Sequence, residues 1–136
     1  MAVKQLSVFI ENRHGTLTEV TEALSAGGID IRALSLAETP DYGILRLIVS
    51  DTEKACEILR ATGRTVSVRN LVGIRVSDEP GGLSRACRVL TDNGFDISYM
   101  YAFLTKEPGF ADVVMRVHNT DEAEKCLTGA GFTLTA

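Results

Sequence analysis

The chain has 136 residues, a hydrophobic share of 45% and a charged share of 24%, the balance of a globular protein and not of a disordered one. Its net charge is −4, and the 14 basic and 18 acidic side chains divide evenly, seven and nine in residues 1–66 and again in 67–136, so no basic half exists to hold the phosphates of a nucleic acid. No apolar stretch approaches the roughly 20 residues of a membrane span, and Met1-Ala2-Val3-Lys4 runs straight into a strand without a signal peptide, so a cytoplasmic location with no membrane partner is expected.

Alternation in Leu6-Ser7-Val8-Phe9-Ile10 predicts a strand with Leu6, Val8 and Ile10 on its core face. Gly15 turns the chain into a helix whose start, Thr16 with Glu19, fits a capping box, and Leu17, Val20, Thr21 and Leu24 follow at helical spacing. Gly27-Gly28 ends that helix. Ile29 to Glu38 reads as a second strand, Pro40-Asp41-Tyr42-Gly43 as a turn, and Ile44 to Ser50 as a third strand completing a hairpin. Asp51 or Thr52 can cap a helix carrying Ala55, Ile58 and Leu59, and Gly63 releases the chain into a fourth strand at Thr65-Val66-Ser67-Val68. The second half predicts the same order: strand Leu71 to Ser77, helix Gly82 to Asn93, strands Phe95 to Leu104 and Ala111 to Val117, helix Asp121 to Leu127, strand Phe132 to Thr135. With no Pro/Gly/Ser linker between halves, the fourth strand is expected to run almost directly into the fifth through Arg69-Asn70.

The halves are a repeat. An offset of 66 places Leu6, Val8 and Ile10 on Val72, Ile74 and Val76, and Gly28-Ile29-Asp30-Ile31 on Gly94-Phe95-Asp96-Ile97. After a two-residue insertion, Leu45, Leu47 and Val49 fall on Val113, Met115 and Val117, and Asp51-Thr52-Glu53 on Asn119-Thr120-Asp121. That period suits a small domain duplicated in tandem, with modules at 1–69 and 70–136. The strand-helix-strand-strand-helix-strand order is the split βαβ, ferredoxin-like plan of the α+β class, in which two helices cover one face of an antiparallel sheet. On the other face the alternation puts Phe9, Leu34, Leu36, Ile44 and Ile48, and in the second module Met100, Leu104 and Val114. So apolar a face predicts cover from a second copy of the chain, a homodimer.

Little here suits catalysis. His14 and His118 are the only histidines and do not correspond between repeats, so no enzyme is expected, although a small ferredoxin-like enzyme remains an alternative. The cysteines Cys56, Cys87 and Cys126 form no CxxC pair, which indicates neither disulfide framework nor metal site and no cofactor. Cys87 in the stripe Leu83, Ala86, Cys87, Leu90, and Cys126 beside Ala123, Leu127 and Ala130, read as core thiols. Tyr99, Tyr101 and Phe103 alternate in phase with Phe95 and Ile97 and read as core, the alternative being a wall for a ligand or for stacked bases, as in an RNA-binding module.

The duplicated turns carry the candidate site. Asn12-Arg13-His14-Gly15-Thr16-Leu17 and Asp78-Glu79-Pro80-Gly81-Gly82-Leu83 each deliver the chain to a helix N-terminus, where free N–H groups attract a carboxylate. His14 is either a polar contact to a ligand or a surface turn residue; His118 reads as a surface residue. Asp30 and Asp96 open the second strand of each repeat, where a carboxylate could hold an ammonium group. Together these groups describe an α-amino acid.

The turn pattern Asn/Asp-x-Pro-Gly-x-Leu, met in full by Asp78 to Leu83 and with His14 in place of proline in the first copy, resembles that of ACT domains, over essentially the whole chain. The resemblance is to bacterial stand-alone tandem ACT proteins. It implies regulatory modules paired side by side through their second strands, with an amino acid at the seam between one module's first turn and its neighbour's second strand. Carried over by position, that seam takes Asn12, Arg13, His14, Gly15, Thr16 and Leu17 with Asp30 and Ile31, and Asp78, Glu79, Pro80, Gly81, Gly82 and Leu83 with Asp96 and Ile97. It also implies a regulated metabolic enzyme as a partner.

Overall fold

The computed structural model describes residues 2–104 and 107–135, and the chain divides into two compact units, Lys4–Arg69, and Asn70–Ala136 together with Met1–Val3. Met1 and Ala136, the outer limits of the expected modules, lie outside the described residues. The first unit runs β1 (Val3–Glu11), α1 (Thr16–Ala26), β2 (Ile31–Glu38), β3 (Tyr42–Val49), α2 (Thr52–Ala61) and the start of β4 (Val66–Ser77). The second takes the rest of β4, then α3 (Gly82–Asp92), β5 (Tyr99–Ala102), β6 (Phe110–Arg116), α4 (Thr120–Gly129) and β7 (Thr133–Leu134). Both are α+β, with βαββαβ order and antiparallel pairing. The two strands expected on either side of Arg69-Asn70 are one continuous β4.

In the first unit β3 lies between β1 and β2, and in the second β6 lies between β4 and β5, with β7 paired to β4 at Ile74 and Arg75. Each core fills one sheet face. Leu6, Val8, Ile10, Leu45 and Leu47 pack with Val20, Leu24, Ala55 and Leu59, and the repeat equivalents Val72, Ile74, Val76, Val113 and Met115 pack with Ala86, Leu90, Ala123 and Leu127. Helices α1 and α3 end where Gly28 (φ 73°) and Gly94 (φ 81°) take left-handed conformations, letting the amides of Ile29 and Phe95 donate back to Leu24 and Leu90 at 3.0 and 2.9 Å. Asp51 and Asn119 cap α2 and α4 by accepting from the amides of Lys54 and Glu122. Cys56 is buried, which raises its thiol pKa, and Cys126 packs against the second core.

Alternation misassigned several faces, all in the second strand of each repeat. The register slips between Ile31 and Ala33, so Leu34 and Leu36 stand opposite Leu47 and Leu45 on the helix-covered side. In the second unit the strand begins only at Tyr99, and Met100 pairs with Met115 and packs against the core. Tyr99 and Tyr101, paired with Arg116 and Val114, are therefore on the helix-free face, although Phe95 and Ile97 belong to the core. The expected core role of this aromatic stripe is not met. Ile48 and Val114 are on the helix-free side as expected but are already buried within the single chain, at 4% and 0% exposure. Of the apolar set proposed to need a second copy, Phe9 and Ile44 remain at least partly exposed there, Phe9 with its ring 5.7 Å from Tyr42. Leu104 is exposed beyond the end of β5. Cys87 also departs from expectation: α3 buries Gly82, Ala86 and Leu90, leaving Cys87 half-buried on its flank and Leu83 exposed.

Candidate functional site

The first turn leaves β1 at Glu11 and enters α1 at Thr16 through Gly15, whose φ of 84° is open to glycine at little cost. The capping box does not form. Thr16 lies inside the helix and its hydroxyl donates to the Arg13 carbonyl at 3.0 Å, while the Glu19 carboxylate accepts from both Arg13 terminal nitrogens at 3.2 and 3.0 Å and from Arg64 at 2.9 Å. Charge-assisted bonds to two guanidinium groups win over a backbone amide. They hold the Glu19 pKa below the usual carboxylate range and raise that of Arg13.

Without that cap, no side chain bonds the N-terminus of α1, and none bonds that of α3, whereas α2 and α4 are capped by Asp51 and Asn119. The two helices entered through the duplicated turns thus lack a side-chain cap, although their first amides, of Thr16 and Gly82, donate to the turn carbonyls of Arg13 and Glu79. Beside the first lies a cavity of about 170 Å³, lined by Ile10, Glu11, Asn12, Arg13, Thr16 and Leu17 and, from the β2–β3 hairpin, Leu36, Glu38 and Gly43. It is below the roughly 300 Å³ at which pockets for larger ligands begin. Glu11, Leu36, Glu38 and Gly43 escaped the sequence reading, because only the corrected register of β2 brings Leu36 round to this side.

The predicted site residues do not all meet within a unit. Asn12, Arg13, Thr16 and Leu17 come together; His14 is exposed at the turn. Ile31 begins β2 and Glu38 ends it, so Asp30 and Ile31 are at the far end of that strand, roughly 23 Å away at ~3.3 Å per residue. Asp30 is exposed, its amide donating to the Ser50 hydroxyl at 2.9 Å and its carbonyl accepting from the Ser50 amide. No small amino acid spans that distance.

In the second unit Asp78, Glu79, Pro80, Gly81 and Leu83 are exposed, and Gly82 is buried at the start of α3, where an added Cβ would collide with the Ser77 carbonyl. Gly81 has φ 88°. Asp96 is exposed in the loop before β5 and Ile97 packs against the core. The bridge between turn and helix recurs with its charges exchanged: Arg13 and Glu19 become Glu79 and Arg85, whose Nη2 and Oε1 are 2.8 Å apart. His118 is exposed and stacks on Phe95 with ring centroids 5.3 Å apart. Among the described residues no three His, Cys, Asp or Glu gather as around a metal ion, and no helix is long and apolar enough to cross a membrane.

A family model described as an ACT domain pair matches residues 1–131. A crystal structure of a protein from Bacteroides thetaiotaomicron is similar at 40% identity and a TM-score of 0.93, covering 100% of this chain and 93% of that one. The ligand-free regulatory subunit of aspartate kinase from Thermus thermophilus superposes with a TM-score of 0.70 at 15% identity, covering 94% of this chain and 92% of its own. The corresponding subunit from Thermus flavus gives 0.64 at 14% identity, over 93% and 91%. Those two show a shared fold alone. No curated protein matches the sequence.

Proposed function

The chain belongs to the ACT-domain-pair family, and from that premise we propose that it is a non-catalytic cytoplasmic sensor that binds a small amino acid. The ligand carboxylate takes the open N-terminus of α1 or α3. Its ammonium group is met by Asp30 or Asp96 at the start of another module's second strand, since the second strand of the first unit starts far from its own turn. The observation that carries this reading is the cavity at the first turn, small, flanked by an uncapped helix N-terminus and by backbone that Gly15 keeps free of a side chain.

A ligand that bridges two modules in only one packing shifts the population toward that packing by its differential affinity. Charge-assisted hydrogen bonds contribute on the order of 1.5–3 kcal/mol each, so two or three of them suit micromolar to millimolar sensing. The state so selected is what a metabolic enzyme partner would read. In a homodimer the neighbouring module comes from a second copy, and the exposed Leu34 and Leu36 on the strand β2 support pairing there.

A thermal-shift screen of the twenty amino acids tests the proposal, because a ligand bound only by the folded state raises the midpoint by mass action. One or a few small amino acids are expected to raise it at millimolar concentration, and Asp30→Ala or Asp96→Ala to abolish the gain. No shift from any amino acid would contradict the reading. The helix-free Tyr99 and Tyr101, stacked 6.5 Å apart, favour an RNA-binding alternative, for which salt-sensitive binding of a single-stranded oligonucleotide would be the positive result.

A further inference from the structure

The two repeats differ in charge along the flank of their first helix. In the first unit this flank carries Glu19 and Glu22, and Arg64 from the loop after α2 lies against it, only 7% exposed, with Nη2 2.9 Å from Glu19 and 3.6 Å from Glu11. At the matching places of the second unit stand Arg85 and Arg88 for the two glutamates, Ser77 for Glu11 and Phe132 for Arg64. The backbone there is shared: Gly63 (φ 84°) and Gly131 (φ 95°) precede Arg64 and Phe132. What changes is chemistry. An acidic flank filled by the chain's own guanidinium has become a basic flank beside an aromatic ring.

The second unit has a groove of about 760 Å³ at this place, lined by Ser84, Arg85, Arg88 and Val89 of α3 and by Phe132. That volume is within the roughly 300–1,000 Å³ range of small-molecule sites. Arg85 is 56% exposed beyond its contact with Glu79, and Arg88 is 70% exposed with its nearest carboxylate, Asp92, at 3.7 Å. Both guanidinium groups therefore have donors left for an incoming acid. Phe132 and Val89 are half-buried against the core, which fixes an apolar surface between them.

We infer that this groove is a ligand site of the second unit, separate from the duplicated turns, for an organic anion with a flat apolar body: the acid group pairs with Arg85 and Arg88, and the body lies on Phe132 and Val89. In the first unit Arg64 closes the equivalent place by supplying a cation to Glu19 and Glu11 from within. The second repeat has exchanged both partners, and Glu79 and Asp92 engage the largely exposed Arg85 and Arg88 from one side each, which leaves the groove side of both guanidinium groups for an incoming acid.

Amide NMR titration of the full chain with 2-naphthoate tests this, with 2-naphthalenemethanol and acetate as comparators. Saturable shifts confined to Ser84–Thr91 and Ala130–Phe132 are expected with naphthoate. The neutral alcohol should bind at least fivefold more weakly, and acetate should leave these amides unmoved. Phe132→Ala, which removes the aromatic surface on which the ligand body lies, should weaken naphthoate at least tenfold. Arg88→Glu, on an exposed position that leaves packing intact, should do so even if Phe132→Ala fails to fold. Equal binding of acid and alcohol, shifts lying elsewhere, or full affinity in Arg88→Glu would overturn the inference. None of these variants touches the turns, so a failure here leaves the amino-acid proposal standing.

Discussion

Glu19 holds the first turn to its helix through Arg13 and Arg64, and the pH dependence of stability should reveal it. Its pKa is lower in the folded chain than the ordinary 4.5, first through the bond from Arg13 and then that from Arg64. Folding then binds fewer protons here than unfolding does, so this stabilisation is full above the unfolded pKa and is lost as pH falls through the folded one. Denaturant unfolding from pH 6 to 3 should show Glu19→Gln less stable than wild type at pH 6, with the difference closing toward pH 3. The glycines differ in kind. Gly15→Ala meets no atom within 4 Å and costs only its left-handed backbone, about 1 kcal/mol by chemical denaturation, whereas Gly82→Ala drives a Cβ into the Ser77 carbonyl and should cost more. The sequence made the turn glycines readable as a pair, but the ion pairs across the turns were hidden because their signs reverse between repeats and only the fold shows that they bridge the same two places.

Elements were legible wherever alternation was unbroken. In β1 and β3 the expected core residues Leu6, Val8, Ile10, Leu45, Leu47 and Val49 are all buried, and Leu45→Ala should cost about 2–5 kcal/mol in equilibrium unfolding, as for other buried leucines. Asp51→Ala, which removes the α2 cap, should cost about 1 kcal/mol. In the second strand of each repeat the same reasoning failed, because the register slip after Ile31 and the late start of β5 at Tyr99 turn every following side chain to the opposite face. No residue type announces that slip. The slip reaches the site by carrying Leu36 to the cavity at the first turn, and the late start of β5 takes Tyr99 and Tyr101 out of the core.

At the scale of the molecule, duplication gives two modules that share a fold but not a surface: the turn pairs are reversed in sign, and the α1 and α3 flanks in charge. Unequal sites follow, so the proposed amino-acid site and the anion groove should respond to different ligands. The claim on which the regulatory reading rests is that a turn and a distant second-strand start act together. Amide hydrogen exchange with and without saturating mixed amino acids tests it most directly. The account predicts protection at 12–17 or 78–83 together with 30–31 or 96–97, the two regions titrating at one concentration. Protection of a turn alone, or no change at either region, would contradict it.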